Sequence, residues 1–198
     1  MIFNGVDVPE YMIAFCPNAD VVDFVSVLKE ELFIAIGKRF KSHKANGHFT
    51  IDWVDATDEI LDIYIRNIEM FVVQLSSKTV KLNAIKDFGE TAIYVAPDNE
   101  ADRWMKLIAR RYFKQVRGMR KSINPHMTIG KNIATGYLDQ AKAVFNNIEV
   151  NISFLCDNIA LRKFNPIKGQ YEVIKRFYFN NDDTNLKFIN EGNQLNLF

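Results

Sequence analysis

Two short frames hold residues that could act together on one substrate. His48 lies in Asn46-Gly47-His48-Phe49-Thr50-Ile51-Asp52 and His126 in Asn124-Pro125-His126-Met127-Thr128-Ile129-Gly130, so Asn, His, Thr and Ile recur in matching places. Only 3 histidines occur in 198 residues, and two of them occupy the same slot. Each frame is apolar-rich and is entered through Gly or Pro, which is how a strand leaving a turn reads. Residues two apart in a strand face the same way, so His48 shares a face with Thr50, and His126 with Thr128. Phe49, Ile51, Met127 and Ile129 face the other way, towards a core. Imidazole titrates at about pH 6.5, so one ring can accept a proton while a charged partner donates one. The threonine hydroxyls can donate to non-bridging phosphate oxygens, where charge builds in a displacement at phosphorus.

A single histidine of this kind would be read as a satisfied strand residue; the duplication argues for a reagent pair. Zinc ligation does not fit, because the two rings are far apart in sequence with no neighbouring Cys or paired Glu at ligand spacing. No nucleophile elbow marks a serine or cysteine hydrolase.

The elements that must position these frames follow in order. An apolar strand at 11–16 stops at Pro17, and a helix with apolar residues at helical spacing runs over 21–36 until Gly37. A basic loop at 38–44 carries His43 and leads to the first motif strand, 48–54. A helix at 57–74 precedes strands at 80–88 and 91–96, joined at Gly89 as a hairpin. The helix at 99–116 ends near Gly118, and Pro125 bars helix from the second motif strand. A helix at 135–147 and strands at 151–164 and 171–179, around a turn at 166–169, complete the plan. Two halves, 10–88 and 91–179, thus repeat one scheme within a single domain, 1–179, and 180–198 reads as a loosely held polar tail.

Composition bounds the function. Hydrophobic residues at 48% and charged residues at 25% describe an ordinary globular protein. A net charge of +1 provides no global attraction to nucleic acid, so any RNA contact needs a local patch. Cys16 and Cys156 read as buried thiols of a reducing compartment. With no secretory pattern at the start and no apolar run of about 20 residues, the expectation is a cytoplasmic protein without a membrane span.

The paired motifs, in this order of elements, resemble the 2H phosphoesterase superfamily, in particular its 2'-5' RNA ligase and RNA 2',3'-cyclic phosphodiesterase group. His48-Phe49-Thr50 and His126-Met127-Thr128 match its two H-x-T motifs. Tyr11 to Pro17 resembles its opening strand. His126-Met127-Thr128-Ile129-Gly130-Lys131 resembles its H-x-T-L-x-R stretch, with lysine for arginine. Leu161-Arg162, followed by Gly169-Gln170-Tyr171-Glu172-Val173-Ile174, resembles its closing hairpin. The resemblance spans about residues 10–179. It implies an α+β, bilobal fold with pseudo-two-fold duplicated lobes, whose antiparallel sheets face a central cleft. It also implies cleavage of cyclic phosphates on RNA or nucleotides to 2'-phosphates without metal or other cofactor. His48 and His126 carry over as the acid/base pair, with Thr50 and Thr128 as phosphate binders. Ligation through a 2'-5' bond and a non-catalytic RNA- or nucleotide-binding module are the alternatives. Lys131 can meet a phosphate only as a point charge, because the bidentate fork of arginine is gone.

Secondary candidates surround this set. Arg103, Lys106, Arg110, Lys114 and Arg117 share one side of a helix and could track an RNA strand, Arg110 and Lys114 being the central pair. Trp53 belongs with the core by strand parity or walls the cleft, Tyr171 could stack a base, and His43 is expected to be exposed. At the C-terminus Gln194-Leu195-Asn196-Leu197-Phe198 resembles the peptide by which many bacterial replication and repair proteins bind the sliding clamp, with Gln194, Leu195, Leu197 and Phe198 as its contacts.

Overall fold

A computed structural model describes residues 2–3, 6–7, 9–89, 92–116 and 122–180. Arg117, Gly118 and the clamp-like tail lie outside the described residues. Strands β1 (Ile2–Phe3) and β2 (Val6–Asp7) form a small ribbon. They are followed by β3 (Glu10–Phe15), α1 (Ala19–Ile36), β4 (Phe49–Asp55), α2 (Asp58–Val72), β5 (Lys78–Asp87), β6 (Ala92–Pro97) and α3 (Asn99–Gln115). Strand β7 (Met127–Lys131), one 3-10 turn (Thr135–Tyr137), α4 (Leu138–Phe145), β8 (Ile152–Cys156), β9 (Asn158–Asn165) and β10 (Gln170–Tyr178) complete the chain.

Local chemistry explains the helix ends. The Asn18 side chain accepts from the Val21 amide at 3.3 Å to start α1. Gly37, at φ 64°, ends it in the left-handed region, and its amide bonds back to the Phe33 carbonyl. Asp98 caps α3 by accepting from the Ala101 amide at 2.8 Å.

The α+β class and the antiparallel pairing match expectation: two four-stranded sheets form, ordered β10-β9-β3-β4 and β7-β6-β5-β8. Each motif strand, β4 or β7, is an edge strand beside β3 or β6. The division of the chain at 10–88 and 91–179, however, is crossed by both sheets. β5 joins the sheet that holds the second motif, and β9 and β10 return to the sheet that holds the first. The run expected as one strand over 151–164 breaks at Asp157. Cys156 pairs with Lys78 in one sheet, and Asn158 with Tyr178 in the other. No Gly or Pro marks that switch, and period-two alternation carries no information about which neighbour a strand chooses.

One hydrophobic core joins the sheets and helices. Phe49, Ile51, Met127 and Ile129 are buried in it, as alternation from the motif histidines requires. Phe49 stacks on Phe154 with ring centroids 6.1 Å apart, linking the two sheets. Cys16 and Cys156 are free and buried. His43 is not exposed: its ring stacks on Phe33 at 4.6 Å and its Nε2 meets Glu30 at 2.9 Å, because the basic loop folds back onto α1. Among the described residues no helix is long and apolar enough to cross a membrane.

Candidate functional site

Both motifs open onto one cleft of about 230 Å³, lined by His48, Thr50, His126 and Thr128 together with Trp53, Lys131 and Tyr171. Seven residues predicted from sequence therefore meet at one place. Arg110 and Lys114 do not: both are exposed on α3 and neither lines the cleft.

The imidazoles are held in a defined tautomer. His48 Nδ1 lies 2.7 Å from the Asn46 carbonyl, and His126 Nδ1 lies 2.7 Å from the Asn124 carbonyl. A carbonyl only accepts, so Nδ1 carries the proton in both rings and each neutral ring presents the Nε2 lone pair. The repeated Asn-x-His spacing thus acts through backbone geometry. Burial pushes the His48 imidazole down to about 3, with the Arg162 guanidinium as the leading electrostatic contributor; Lys29 and His126 act in the same direction, and the Asn46 bond opposes them. His126 is also lowered by burial, with Lys131 adding to the effect and the Asn124 bond opposing it. Both rings are consequently neutral proton acceptors in the free protein. Phe88 and Tyr94 meet the His126 ring edge-on at 4.9 and 5.5 Å. The Thr50 hydroxyl rests on the Met12 sulfur at 3.4 Å, a weak acceptor that a phosphate oxygen can displace.

Strand alternation breaks at the same place in both motif strands. Ala14 pairs with Thr50 and Ile13 with Asp52, so Ile51 is an extra residue on β4. Tyr94 pairs with Thr128 and Ile93 with Gly130, so Ile129 is its counterpart on β7. A bulge resets which residues face the cleft. Trp53 and Lys131, each three residues beyond its motif threonine, consequently join the threonine face. Simple parity points Trp53 towards the core; the bulge at Ile51 brings it to the cleft wall, half-buried. Tyr171 also lines the cleft, with its hydroxyl donating to Glu10 and its ring 5.3 Å from Phe164.

Two motif neighbours were not foreseen as site residues. Lys29 is 2% exposed on the core stripe of α1 and donates to the carbonyls of Ser42, at 3.0 Å, and Ala45. It ties down the loop that delivers His48. Burial pushes it down to about 8, aided by Arg162. A lysine one helical turn after Val25, on an otherwise apolar stripe, was the signal available in sequence. Arg162 is likewise buried at the cleft, directly after the apolar stretch Ile159-Ala160-Leu161. With Lys41 and Lys131 these residues make the lining cationic, and among the described residues no Asp or Glu belongs to it. Among the described residues no cluster of three or more His, Cys, Asp or Glu is placed to hold a metal ion.

No protein-family model matches the chain, and no curated protein matches it at a significant level. Solved structures do. E. coli LigT complexed with NADP+ superposes with a TM-score of 0.65 at 14% identity, covering 88% of this chain and 99% of its own. TT0787 of Thermus thermophilus gives 0.60 at 14%, covering 87% and 99%. Kluyveromyces marxianus Usb1 with uridine monophosphate gives 0.54 at 11%, covering 86% and 98%. All three are 2H phosphoesterases. The chain has the 2H phosphoesterase fold. In this 2H fold the two motif strands border one cleft from opposite sheets, which is why residues so distant in sequence line a common site.

Proposed function

We propose that the cleft is the active site of a 2H phosphoesterase that opens 2',3'-cyclic phosphate ends of RNA or nucleotides, without a metal, to leave 2'-phosphates. One observation carries this reading: two imidazoles with Nε2 lone pairs face one cationic cleft beside two threonine hydroxyls. Solved neighbours of the same fold hold NADP+, 3'-AMP and uridine monophosphate, in keeping with a nucleotide ligand.

In the reaction a water oxygen attacks phosphorus as the bond to the 3' oxygen breaks. His126 Nε2 takes the proton from water, and His48 Nε2 delivers a proton to the departing 3' oxygen. This assignment follows the electrostatics. An imidazolium beside Arg162 and Lys29 is the stronger acid, whereas at His126, besides burial, Lys131 is the charge that acts against protonation. Thr50 and Thr128 donate to the non-bridging oxygens as charge accumulates there. Trp53 supplies an aromatic wall for a base, and Lys131 a point charge for phosphate.

The test is product analysis after incubation of 2',3'-cyclic AMP, and of a short RNA ending in a cyclic phosphate, with excess chelator present. Formation of 2'-phosphate, abolished in His48→Ala and in His126→Ala proteins that still melt cooperatively, is the expected result. Full turnover in either variant would overturn the reading. Binding without turnover would leave a non-catalytic module, and RNA joined through a 2'-5' bond would indicate a ligase.

A further inference from the structure

A second cavity, of about 340 Å³, opens on the other side of His126. Among the described residues its walls include Lys86 and Phe88, Tyr94 of β6, Lys106 of α3, and the Asn124-Pro125 approach to the second motif. Neither imidazole and neither motif threonine lines it, so it lies outside the reacting cleft. The two recesses are neighbours all the same. Phe88 and Tyr94 meet the His126 ring at 4.9 and 5.5 Å, and His126 Nδ1 bonds to the Asn124 carbonyl.

Sheet register joins the two floors. Thr128 pairs with Tyr94, and Tyr94 in turn with Lys86, so the three side chains form one row on one face of the sheet. That row leads from the cleft, where Thr128 stands, into the second cavity. The first sheet is built differently, with Ala14 opposite Thr50 in the slot that Tyr94 fills opposite Thr128. Ala14 is fully buried, whereas Tyr94 is half-buried and has Phe88 stacked on it, centroids 4.2 Å apart and planes 21° apart. His126 is perpendicular to Phe88, at 88°, and stands beside the stacked pair, since a ring stacked beyond Phe88 would lie farther from Tyr94. Tyr94 thus covers one face of Phe88, and the 41% exposure of Phe88 falls on its other face and rim. The one carboxylate in the described lining, Asp102, is paired with Lys106 at 2.8 Å, while Lys86 is exposed. An open aromatic face beside a cation suits a nucleobase and the backbone that carries it. Every base has a face to stack, and single-stranded RNA can splay neighbouring bases onto separate surfaces.

We propose that this cavity holds the nucleoside next to the terminal one in an RNA strand, its base stacked on Phe88 and its backbone near Lys86. Phe88 then sets a preference for strands, because a free cyclic mononucleotide leaves this platform empty. The proposal rests on the reading of the cleft as a cyclic-phosphate site and goes beyond it, since nothing at the reacting phosphorus requires a second nucleoside.

The experiment compares two substrates that end in the same adenosine 2',3'-cyclic phosphate. One is the dinucleotide ApA; the other lacks the first base but keeps its sugar and the linking phosphate. In the wild type, kcat/KM is expected to favour the complete dinucleotide on the order of tenfold, mainly through KM, as stacking on an aromatic ring allows. In Phe88→Ala the ratio of the two values falls to about one, whatever happens to each value, and Phe88→Trp restores it. Thermal melting checks that the variants fold. If Phe88→Ala does not, Phe88→Leu replaces it, keeping apolar bulk without a ring face, and its ratio also falls to about one. Equal turnover of the two substrates by the wild type, or a preference retained in the folded Ala or Leu variant, overturns the platform and leaves the reaction reading standing. If neither substrate turns over, calorimetry with the same pair ending in a 2'-phosphate decides. Tighter binding of the complete dinucleotide that disappears in the variant supports the platform although the reaction reading has failed, and equal binding overturns the platform as well.

Discussion

If His48 is the general acid, the proton it must give is absent from the free cleft, and its arrival can be measured. Burial and the Arg162 charge push the ring down to about 3, so the free ring is neutral at about pH 6. Its Nδ1 is committed to the Asn46 carbonyl, which leaves Nε2 to meet a ligand. A phosphate ester against Nε2 places one negative charge roughly 4 Å from the ring, worth about 4 kcal/mol at an effective dielectric constant of about 20. Since about 1.4 kcal/mol is a tenfold change in proton affinity, the ligand raises that affinity on the order of a thousandfold. A substantial fraction of His48 then gains a proton on binding at about pH 6. The ligand to use is 2',3'-cyclic AMP, a monoanion that does not itself titrate in this range, bound to His126→Ala to prevent turnover. Proton uptake appears as a dependence of the calorimetric enthalpy on the ionisation enthalpy of the buffer, and imidazole nitrogen resonances identify the ring. The double variant His48→Ala/His126→Ala is expected to bind the ligand without uptake. An ordinary titration of His48 in the free protein would refute the electrostatic argument. Uptake in His48→Ala but not in His126→Ala would exchange the acid and base roles.

Three other outcomes are expected. A Cβ on Gly130 would come within 2.6 Å of Leu32 Cδ2 and 2.8 Å of Ile133 Cδ1, so Gly130→Ala should destabilise by about 1–3 kcal/mol. Its melting temperature should fall by about 2–4 °C per kcal/mol in a domain of this size, and an unchanged melting curve would contradict the packing. Reversing the charge at Arg110 and Lys114 should leave kcat/KM for a cyclic mononucleotide within about twofold, because exposed charges outside the cleft contribute little; a tenfold fall would mean that α3 reaches the reacting phosphate. If the resemblance of residues 194–198 to a clamp-binding peptide reflects such binding, deleting them should remove affinity for a bacterial sliding clamp in surface plasmon resonance without changing turnover, and retained affinity would end that idea.

The site was legible where chemistry and period coincide. His48, Thr50, His126 and Thr128 could be read because alternation assigns side chains to faces, and the burial of Phe49, Ile51, Met127 and Ile129 follows from the same rule. Trp53 was misplaced by that rule, because an extra residue at Ile51 shifts parity and an isoleucine in a bulge looks like any other strand isoleucine. The crossing of the sheets by β5, β9 and β10 depends on long-range partner choice, which no local pattern encodes. Arg162 and Lys29 stood out only as charges within apolar stretches. Such interruptions are usually solvated, and it took the cleft to show that these two are buried.

The two bulges also explain how a duplicated motif becomes one site. The extra residue on β4 is Ile51, whose carbonyl accepts from the Ser122 amide at 2.8 Å; the extra residue on β7 is Ile129, whose carbonyl accepts from the Ser42 hydroxyl at 3.0 Å. Ser122 lies in the approach to His126, and Ser42 in the approach to His48. Each approach is therefore anchored to the opposite motif strand, and the bonds cross between the sheets. Lys29 reinforces one of these approaches from α1 through the Ser42 and Ala45 carbonyls. Acid/base transfer to a single phosphorus depends on the separation of two rings, and hydrogen bonds within either sheet cannot set that separation. The reciprocal pair can, since displacing one motif strand pulls on the loop that carries the other histidine. The isoleucine shared by both frames thus serves twice: its side chain fills the core, and its carbonyl couples the two halves of the site.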